Sequence, residues 1–432
     1  MPTKPIPSMR LNMNRYMKPG LIFILSLGLR TYAAGQGHYE VSGKITDGVS
    51  KEPLAFSTVS ISGTSKGVVS NFLGAFDFTF SEEHSEDTLL ISMMGFKPKQ
   101  IPISGLKQVA VLDIQLEESI VMLNEVSVSE KKLSALEIVT KVIENIPNNY
   151  PVSPYLLKGF TRSHKRECGT YLKLYEADFE VYGGGYHKKT PEKTYINEAR
   201  QTYSVPYYHS KVLRANSNPF HAMGHVNDVL FKSYSLKLKY NKYELDKFVE
   251  EDGELIYVIK TNHTKYVTHT MYIHSETYAL LKVKMEMMTP EDEDWNPHLN
   301  KGISSDSLDF KVTRVIKSIQ FEKQDGRYHT KYMDWLIEGN LTFQESKEDF
   351  CEWGFRFETM FDQVVTENVT KPSKEKLLNF RSQREPKSTQ YNPDFWNKYP
   401  LIKDFPLTPK ILKDLEANGE LDIQFEQSAK EL

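Results

Sequence analysis

From Tyr39 onward, apolar and polar positions alternate in short runs separated by turn residues. Val41, Gly43 and Ile45 fall on one side of a two-residue repeat and Ser42, Lys44 and Thr46 on the other, the pattern of a half-buried strand. Asp47-Gly48 supplies a turn. In the following run Leu54, Phe56, Thr58 and Ser60 alternate with Ala55, Ser57, Val59 and Ile61, so the apolar groups lie mainly on the odd side until Gly63-Thr64 ends the strand. Asn71 to Gly74 is the next tight connection. Phe76, Phe78 and Phe80 then recur at strand period and predict a row of rings entering a core. A further apolar run ends at Gly95, and the whole stretch from Tyr39 to Leu116 reads as a small β-sandwich.

The period changes after this. Leu136, Val139, Val142, Ile143 and Ile146 are spaced by three and four, with Ser134 as N-cap and Glu137 as its capping-box partner, which predicts an amphipathic helix over 134–145. Its stripe is expected to bury against the next domain, and the run Asn148-Asn149-Tyr150-Pro151 stops it. Alternation returns with many aromatics: Tyr171 to Tyr182 reads as a strand broken by Gly183-Gly184-Gly185. A second β-block runs through Leu255–Ile259, Thr268–Ile273, Ala279–Met287 and Val312–Ile316. Strands Ser318–Phe321 and Tyr328–Ile337 flank the hairpin turn Asp325-Gly326. Between the blocks, Lys188 to Tyr240 contains Pro206, Pro219 and Asn216-Ser217-Asn218 and is expected to be irregular, a long loop of the kind that carries function. The C-terminal part holds the aromatic segment Tyr391–Pro400, a helix candidate Pro409–Ala417 and a further segment Leu421–Phe425.

Composition narrows the classes. With 432 residues there is room for two or three domains, and a net charge of -3 gives no electrostatic case for nucleic acid. Arg10, Arg15 and Lys18 precede the apolar run Leu21–Leu29, and Ala33, Ala34 and Gly35 follow, the layout of a secretory signal cleaved near those small residues. The run is too short for a membrane-spanning helix. The chain has two cysteines, Cys168 and Cys351, far apart in sequence and outside any zinc-type spacing; in an exported protein they can pair or stay as isolated buried thiols.

Gly43, Asp47, Glu52-Pro53-Leu54, Val59, Gly63-Thr64, Gly67, Asn71, Gly74, Phe76 and Gly95-Phe96 together resemble the carboxypeptidase-regulatory-like domain, a transthyretin-like sandwich of seven strands. The resemblance implies an extracytoplasmic module of the kind found at the N-terminus of TonB-dependent receptors and of other envelope proteins in Bacteroidota-type Gram-negative bacteria. Leu123 to Val128 resembles the segment that joins this sandwich to the receptor plug, yet the remaining chain is too short for a transporter barrel of about twenty-two strands. The segments Tyr257-Val258-Ile259, Met271-Tyr272-Ile273-His274 and Thr277–Lys282 resemble the curved antiparallel sheet of LolA-like periplasmic carriers. That resemblance implies an apolar groove, for which Tyr257, Ile259, Tyr272 and Leu281 are the expected lining. The Phe-Trp-Asn-x-Tyr-Pro ending at Phe395–Pro400 resembles uncharacterised Bacteroidota envelope proteins in which a regulatory-like domain comes first.

Catalytic patterns are weak. His164 and Glu167 form a His-x-x-Glu pair like that of metallocarboxypeptidases, but in a hairpin they would point to opposite faces of a sheet. His221, His225 and Asp228 could share one helical face and bind a metal, although Gly224 intervenes and no Glu general base accompanies them. Glu291 to Asp294 lacks the spacing of a calcium loop. No nucleophile elbow, phosphate loop or dinucleotide fingerprint is present.

The expected architecture is therefore mainly β: a signal peptide over 1–36, a transthyretin-like sandwich over 37–118, a linker and amphipathic helix over 119–150, a larger antiparallel β (α+β) domain over 151–370 that could take a half-barrel form, and a C-terminal extension over 371–432. The expected function is a non-catalytic, exported envelope protein, periplasmic or associated with the outer membrane. It would bind an apolar, lipid-like ligand or a periplasmic or outer-membrane protein, with no metal, cofactor, nucleic acid or transmembrane span in the mature chain. The alternative is a hydrolase of glycans or peptides with catalytic groups in 188–240.

Overall fold

The computed structural model describes residues 37–64, 66–121, 133–186, 193–202, 236–237, 242–251, 253–289, 308–343, 345–346, 349–373, 378, 391–399 and 407–430. The signal-like leader, the His221/His225/Asp228 group and the acidic run Glu291–Asp294 lie outside the described residues.

Seven strands form the N-terminal sandwich: β1 His38–Asp47, β2 Thr58–Ile61, β3 Gly67–Val69, β4 Ala75–Ser81, β5 Thr88–Ser92, β6 Lys99–Pro102 and β7 Val109–Leu116. One sheet has the order β4-β1-β7 and the other β3-β2-β5-β6. The alternation seen in sequence is the packing pattern, since Val41, Ile45, Val59, Ile61, Phe76, Phe78 and Phe80 all lie in one buried cluster. The second strand starts later than its alternation suggests. Phe56 has a left-handed backbone (φ 62°) and stands before β2, so its ring leaves the sandwich core and stacks on Tyr332 of the next domain at 4.9 Å.

The second domain is one sheet of eleven strands. In sequence they are β8 Ile120–Val121, β9 Tyr155–Glu167, β10 Thr170–Gly183, β11 Lys193–Gln201, β12 Lys242–Glu251, β13 Glu254–Thr264, β14 Val267–His274, β15 Leu280–Met288, β16 Leu308–Gln324, β17 Arg327–Phe343 and β18 Asp349–Val365. The sheet order is β11-β10-β9-β18-β17-β16-β15-β14-β13-β12-β8, open at both ends and not closed into a barrel. The fold is thus mainly β, as expected. Asp325-Gly326 forms the β16–β17 hairpin turn with positive φ at both residues (49° and 78°), but the two strands run far beyond the segments legible in sequence. A correction is needed at 188–240: its part Lys193–Gln201 is a regular strand paired with β10 from Tyr175 to Tyr182, because cross-strand bonds supply the order that local sequence does not.

Helix α1, Ala135–Glu144, begins with the predicted capping box: Ser134 accepts from the Glu137 N–H and the Glu137 carboxylate accepts from the Ser134 N–H. With the short α2, Ile146–Asn149, it lies against one face of the large sheet. Ile138, Val139 and Val142 join Ile259, Met271, Val283, Ile319 and Met333 in a single buried cluster. At the chain's end, α3 Pro393–Lys398, α4 Pro409–Glu416 and α5 Leu421–Lys430 pack on the opposite face. Tyr399 donates to Asp178 at 2.7 Å and Asp414 accepts from the Tyr171 N–H at 3.0 Å.

Cys168 and Cys351 form a disulfide between the β9–β10 turn and the start of β18, closing the alternative left open by sequence.

Candidate functional site

The large sheet presents two chemically different faces, and strand register decides which side chains share each. Tyr257 and Ile259 on β13 pair with Ile273 and Met271 on β14 and face α1. Tyr272 pairs with Val258 and points the other way, toward the sandwich, where it meets Gly95. Leu281 sits at a bulge between the pairs Tyr272–Lys282 and Ile273–Leu280 and is buried. The four residues expected to line one groove are therefore divided between faces, and Ile259 and Leu281 belong to the core beneath the helix.

On the helix-bearing side, apolar side chains continue past α1. Two cross-strand rows cross β15 to β18: Met285, Lys317, Trp335 and Phe357, and Met287, Val315, Ile337 and Phe355. Phe355, Phe357, Trp353 and Leu341 are buried in a separate cluster with half-buried Trp335 and Ile337, and no residue of α1 belongs to it. Lys165 and Lys317 stand over the Phe355 and Trp335 rings at 5.8 and 5.4 Å, an attraction between cation and ring face.

The opposite face is built from charges. Arg162 and Arg200 clamp the Glu176 carboxylate from two sides, with Nε–Oε distances of 2.7 Å each. Burial alone would raise the Glu176 carboxyl, but Arg200 and Arg162 outweigh it and hold the group below the usual carboxylate range. Arg356 makes a two-pronged pair with Asp334 at 2.8 and 2.7 Å and lies 4.4 Å over the Phe72 ring of the sandwich. The Phe72 N–H donates to Glu358 Oε1 at 3.0 Å. Burial pushes the Glu358 carboxyl up to about 7 despite Arg356 and Arg162. Its other oxygen is 4.0 Å from His164 Nε2, whose imidazole is held well below its usual value by burial and by Arg356, Arg162 and Arg166. Neither of these two atoms has a hydrogen-bond partner among the described residues. His164 faces the sandwich while Glu167, three residues on in the same strand, faces away, so the His-x-x-Glu pair does not converge.

A cavity of about 400 Å³ lies between the sandwich and this charged face. The sandwich contributes Leu54, Phe56, Met93 and Phe96, and the sheet contributes Lys282, Ser318, Gln320, Tyr332, Asp334 and Leu336. Two ion pairs bridge the parts: Arg314 to Glu52 at 3.3 Å, and Lys247 to Glu118 at 2.6 Å. Gly95, with φ 88°, brings its turn onto Tyr272 so closely that a Cβ would lie 3.3 Å from the ring. Sequence reasoning missed this cleft because its lining comes from many separated strands. Its legible elements are Asp47, Glu52-Pro53-Leu54, Gly95-Phe96 and Tyr272, which the sequence singles out without showing that they meet.

Among the described residues no helix is long and apolar enough to cross a membrane. No curated protein matches the chain in sequence. Among solved structures, a LolA superfamily protein from Nitrosomonas europaea is similar at 9% identity, covering 55% of this chain and 96% of its own, with a TM-score of 0.24. A DUF1329 family protein from Desulfovibrio piger is similar at 10% identity over 56% of this chain and 96% of its own, with a TM-score of 0.28. A domain from Vibrio parahaemolyticus assigned to outer-membrane lipoprotein sorting is similar at 11% identity over 55% of this chain and 94% of its own, with a TM-score of 0.26. The firmer match is in sequence and covers about a fifth of the chain: residues 41–128, which include the seven-stranded sandwich from Val41 onward, match the CarboxypepD_reg-like domain.

Proposed function

We propose that this chain is a non-catalytic, exported cell-envelope protein that binds an apolar ligand, such as a lipid acyl chain, on the helix-bearing face of its large sheet. The observation that carries the reading is the pair of largely apolar cross-strand rows, interrupted by Lys317, that continue beyond α1 and include Trp335, Ile337, Phe355 and Phe357. Apolar side chains gathered in this way, half-buried at Trp335 and Ile337, offer the lining that an apolar ligand needs. The Cys168–Cys351 disulfide supports an oxidising compartment, in keeping with the secretory layout of Arg10 to Gly35. The site moves from the groove expected in sequence to a neighbouring stretch of the same sheet, because α1 fills the place where Ile259 and Leu281 lie.

The test is titration of the delipidated full chain with a fluorescent long-chain fatty acid analogue. Saturable binding that palmitate displaces and that Trp335→Asp weakens at least tenfold is the expected result. Absence of binding, or equal binding by the variant, refutes the reading.

One observation favours the alternative, a hydrolase of glycans or peptides: burial pushes Glu358 up to about 7, where a carboxyl can exchange a proton near neutral pH. Against it, Glu358 and His164 are 1% and 4% exposed, with Phe72 of the sandwich covering them, so a substrate would have to displace that turn. Turnover of glycan or peptide substrates abolished by Glu358→Gln would establish the hydrolase.

A further inference from the structure

We propose that the cleft between the sandwich and the large sheet is a second binding site, specific for a small organic monocarboxylate whose carboxylate pairs with Lys282 and whose apolar body lies against Tyr272, Phe96 and Leu336.

The argument starts from the charges lining the cavity. Asp334 is taken by Arg356. Glu338 is shared by Arg166 at 3.2 Å and Arg314 at 3.8 Å, and Glu52 also meets Arg314. Glu118 is taken by Lys247, and Asp47 accepts from the Val49 and Ser50 N–H groups within its own turn. Lys284 pairs with Glu286 at 2.7 Å. Lys282 is then the lining cation that has no carboxylate within ion-pair distance among the described residues. Its ammonium lies 5.6 Å from the centre of the Tyr272 ring.

An unpaired ammonium at the floor of an interdomain cleft is costly unless something compensates it. Burial and neighbouring Lys284 lower Lys282 to about 8 against the longer-range attraction of Glu251 and Asp334, which leaves it mainly charged at neutral pH. Its cross-strand neighbours, Tyr272 and Gln320, and Ser318 beside Lys284 also line the cavity and offer uncharged hydrogen-bonding groups. Burial raises the Tyr272 hydroxyl to about 12, so it remains a donor.

The charge count selects the ligand. Lys282, unmatched at ion-pair distance, can be met by one negative charge, whereas a phosphate dianion would bring a second charge close to Asp334 and Glu338. The apolar share of the lining favours a hydrocarbon body, and a cavity of about 400 Å³ lies in the range of small-molecule sites.

Calorimetric titration of the full chain with octanoate, octanol and inorganic phosphate tests this. Octanoate should bind the wild type and Lys282→Arg and be weakened at least tenfold by Lys282→Met and by Lys282→Gln. Octanol and phosphate should bind the wild type at least tenfold more weakly than octanoate. Trp335→Asp should leave octanoate binding unchanged, which separates this cleft from the long-chain site on the other face. Removing an unpaired ammonium should not lower the melting temperature, so both neutral variants remain folded controls. The proposal is overturned if octanoate does not bind, if either neutral variant retains its binding, if octanol or phosphate binds as tightly, or if Trp335→Asp removes octanoate binding.

Discussion

Replacing Glu176 by alanine removes the carboxylate that two guanidinium groups share on the charged face of the large sheet. Glu176 is 0% exposed and Arg162 2%, so neither can exchange its partner for water, while Arg200 retains some contact with solvent. Breaking a buried ion pair from one side costs about 3–5 kcal/mol. Two cations lose this shared carboxylate, but Arg200 can partly rehydrate, so a loss of about 4 kcal/mol is expected. The effect should spread to the C-terminal helices, because Arg200 is held 4.5 Å from both the Trp396 and Phe425 rings. Denaturant unfolding at neutral pH, read by tryptophan fluorescence, measures the loss, and limited proteolysis should show faster cleavage between α3 and α5. The triple variant Arg162→Met, Glu176→Leu, Arg200→Met removes all three charges and should recover most of the stability, since apolar replacement of a whole buried network is often neutral. A loss under about 1 kcal/mol for Glu176→Ala, or a triple variant no better than the single one, would refute the reasoning.

Three other outcomes are expected. Replacing both Cys168 and Cys351 by alanine should lower stability by about 2–4 kcal/mol in a thermal melt, because the disulfide closes a loop with a sequence separation of 183 residues. His329, lowered by burial to about 4 from 6.5, contributes stability that is present above about pH 6.5 and is lost as pH falls toward 4, up to about 3 kcal/mol. Glu358, raised by burial to about 7, works in the opposite sense, with stability present below its usual value of 4.5 and lost as pH rises through 7. Stability profiles of His329→Gln and Glu358→Gln should flatten in those respective windows. Gly339→Ala should destabilise by about 2–4 kcal/mol in denaturant unfolding, since its Cβ would lie 2.0 Å from the Lys311 carbonyl and 2.5 Å from the Trp353 indole that covers the glycine across the strand pair.

Features that rest on neighbours in the chain were legible without the fold. The Phe76, Phe78 and Phe80 row, the Ser134–Glu137 capping box, the Asp325-Gly326 hairpin and the break at Gly183 each depend on a few adjacent residues, and each is present in the fold. The likeness of 41–128 to a regulatory-like domain was legible for the same reason, being carried by turn residues at set places. Tertiary structure decided where strands align and what shares a face. Tyr272 lies apart from Tyr257 because side chains alternate at every residue, and Leu281 falls at a bulge that only the partner strand reveals. The Lys193–Gln201 strand, the Cys168–Cys351 pairing and the Arg162–Glu176–Arg200 clamp likewise join residues from separate strands. Local pattern shows that a residue is apolar or charged, but register and domain packing determine its partner, and both proposed binding sites arise from that second kind of information.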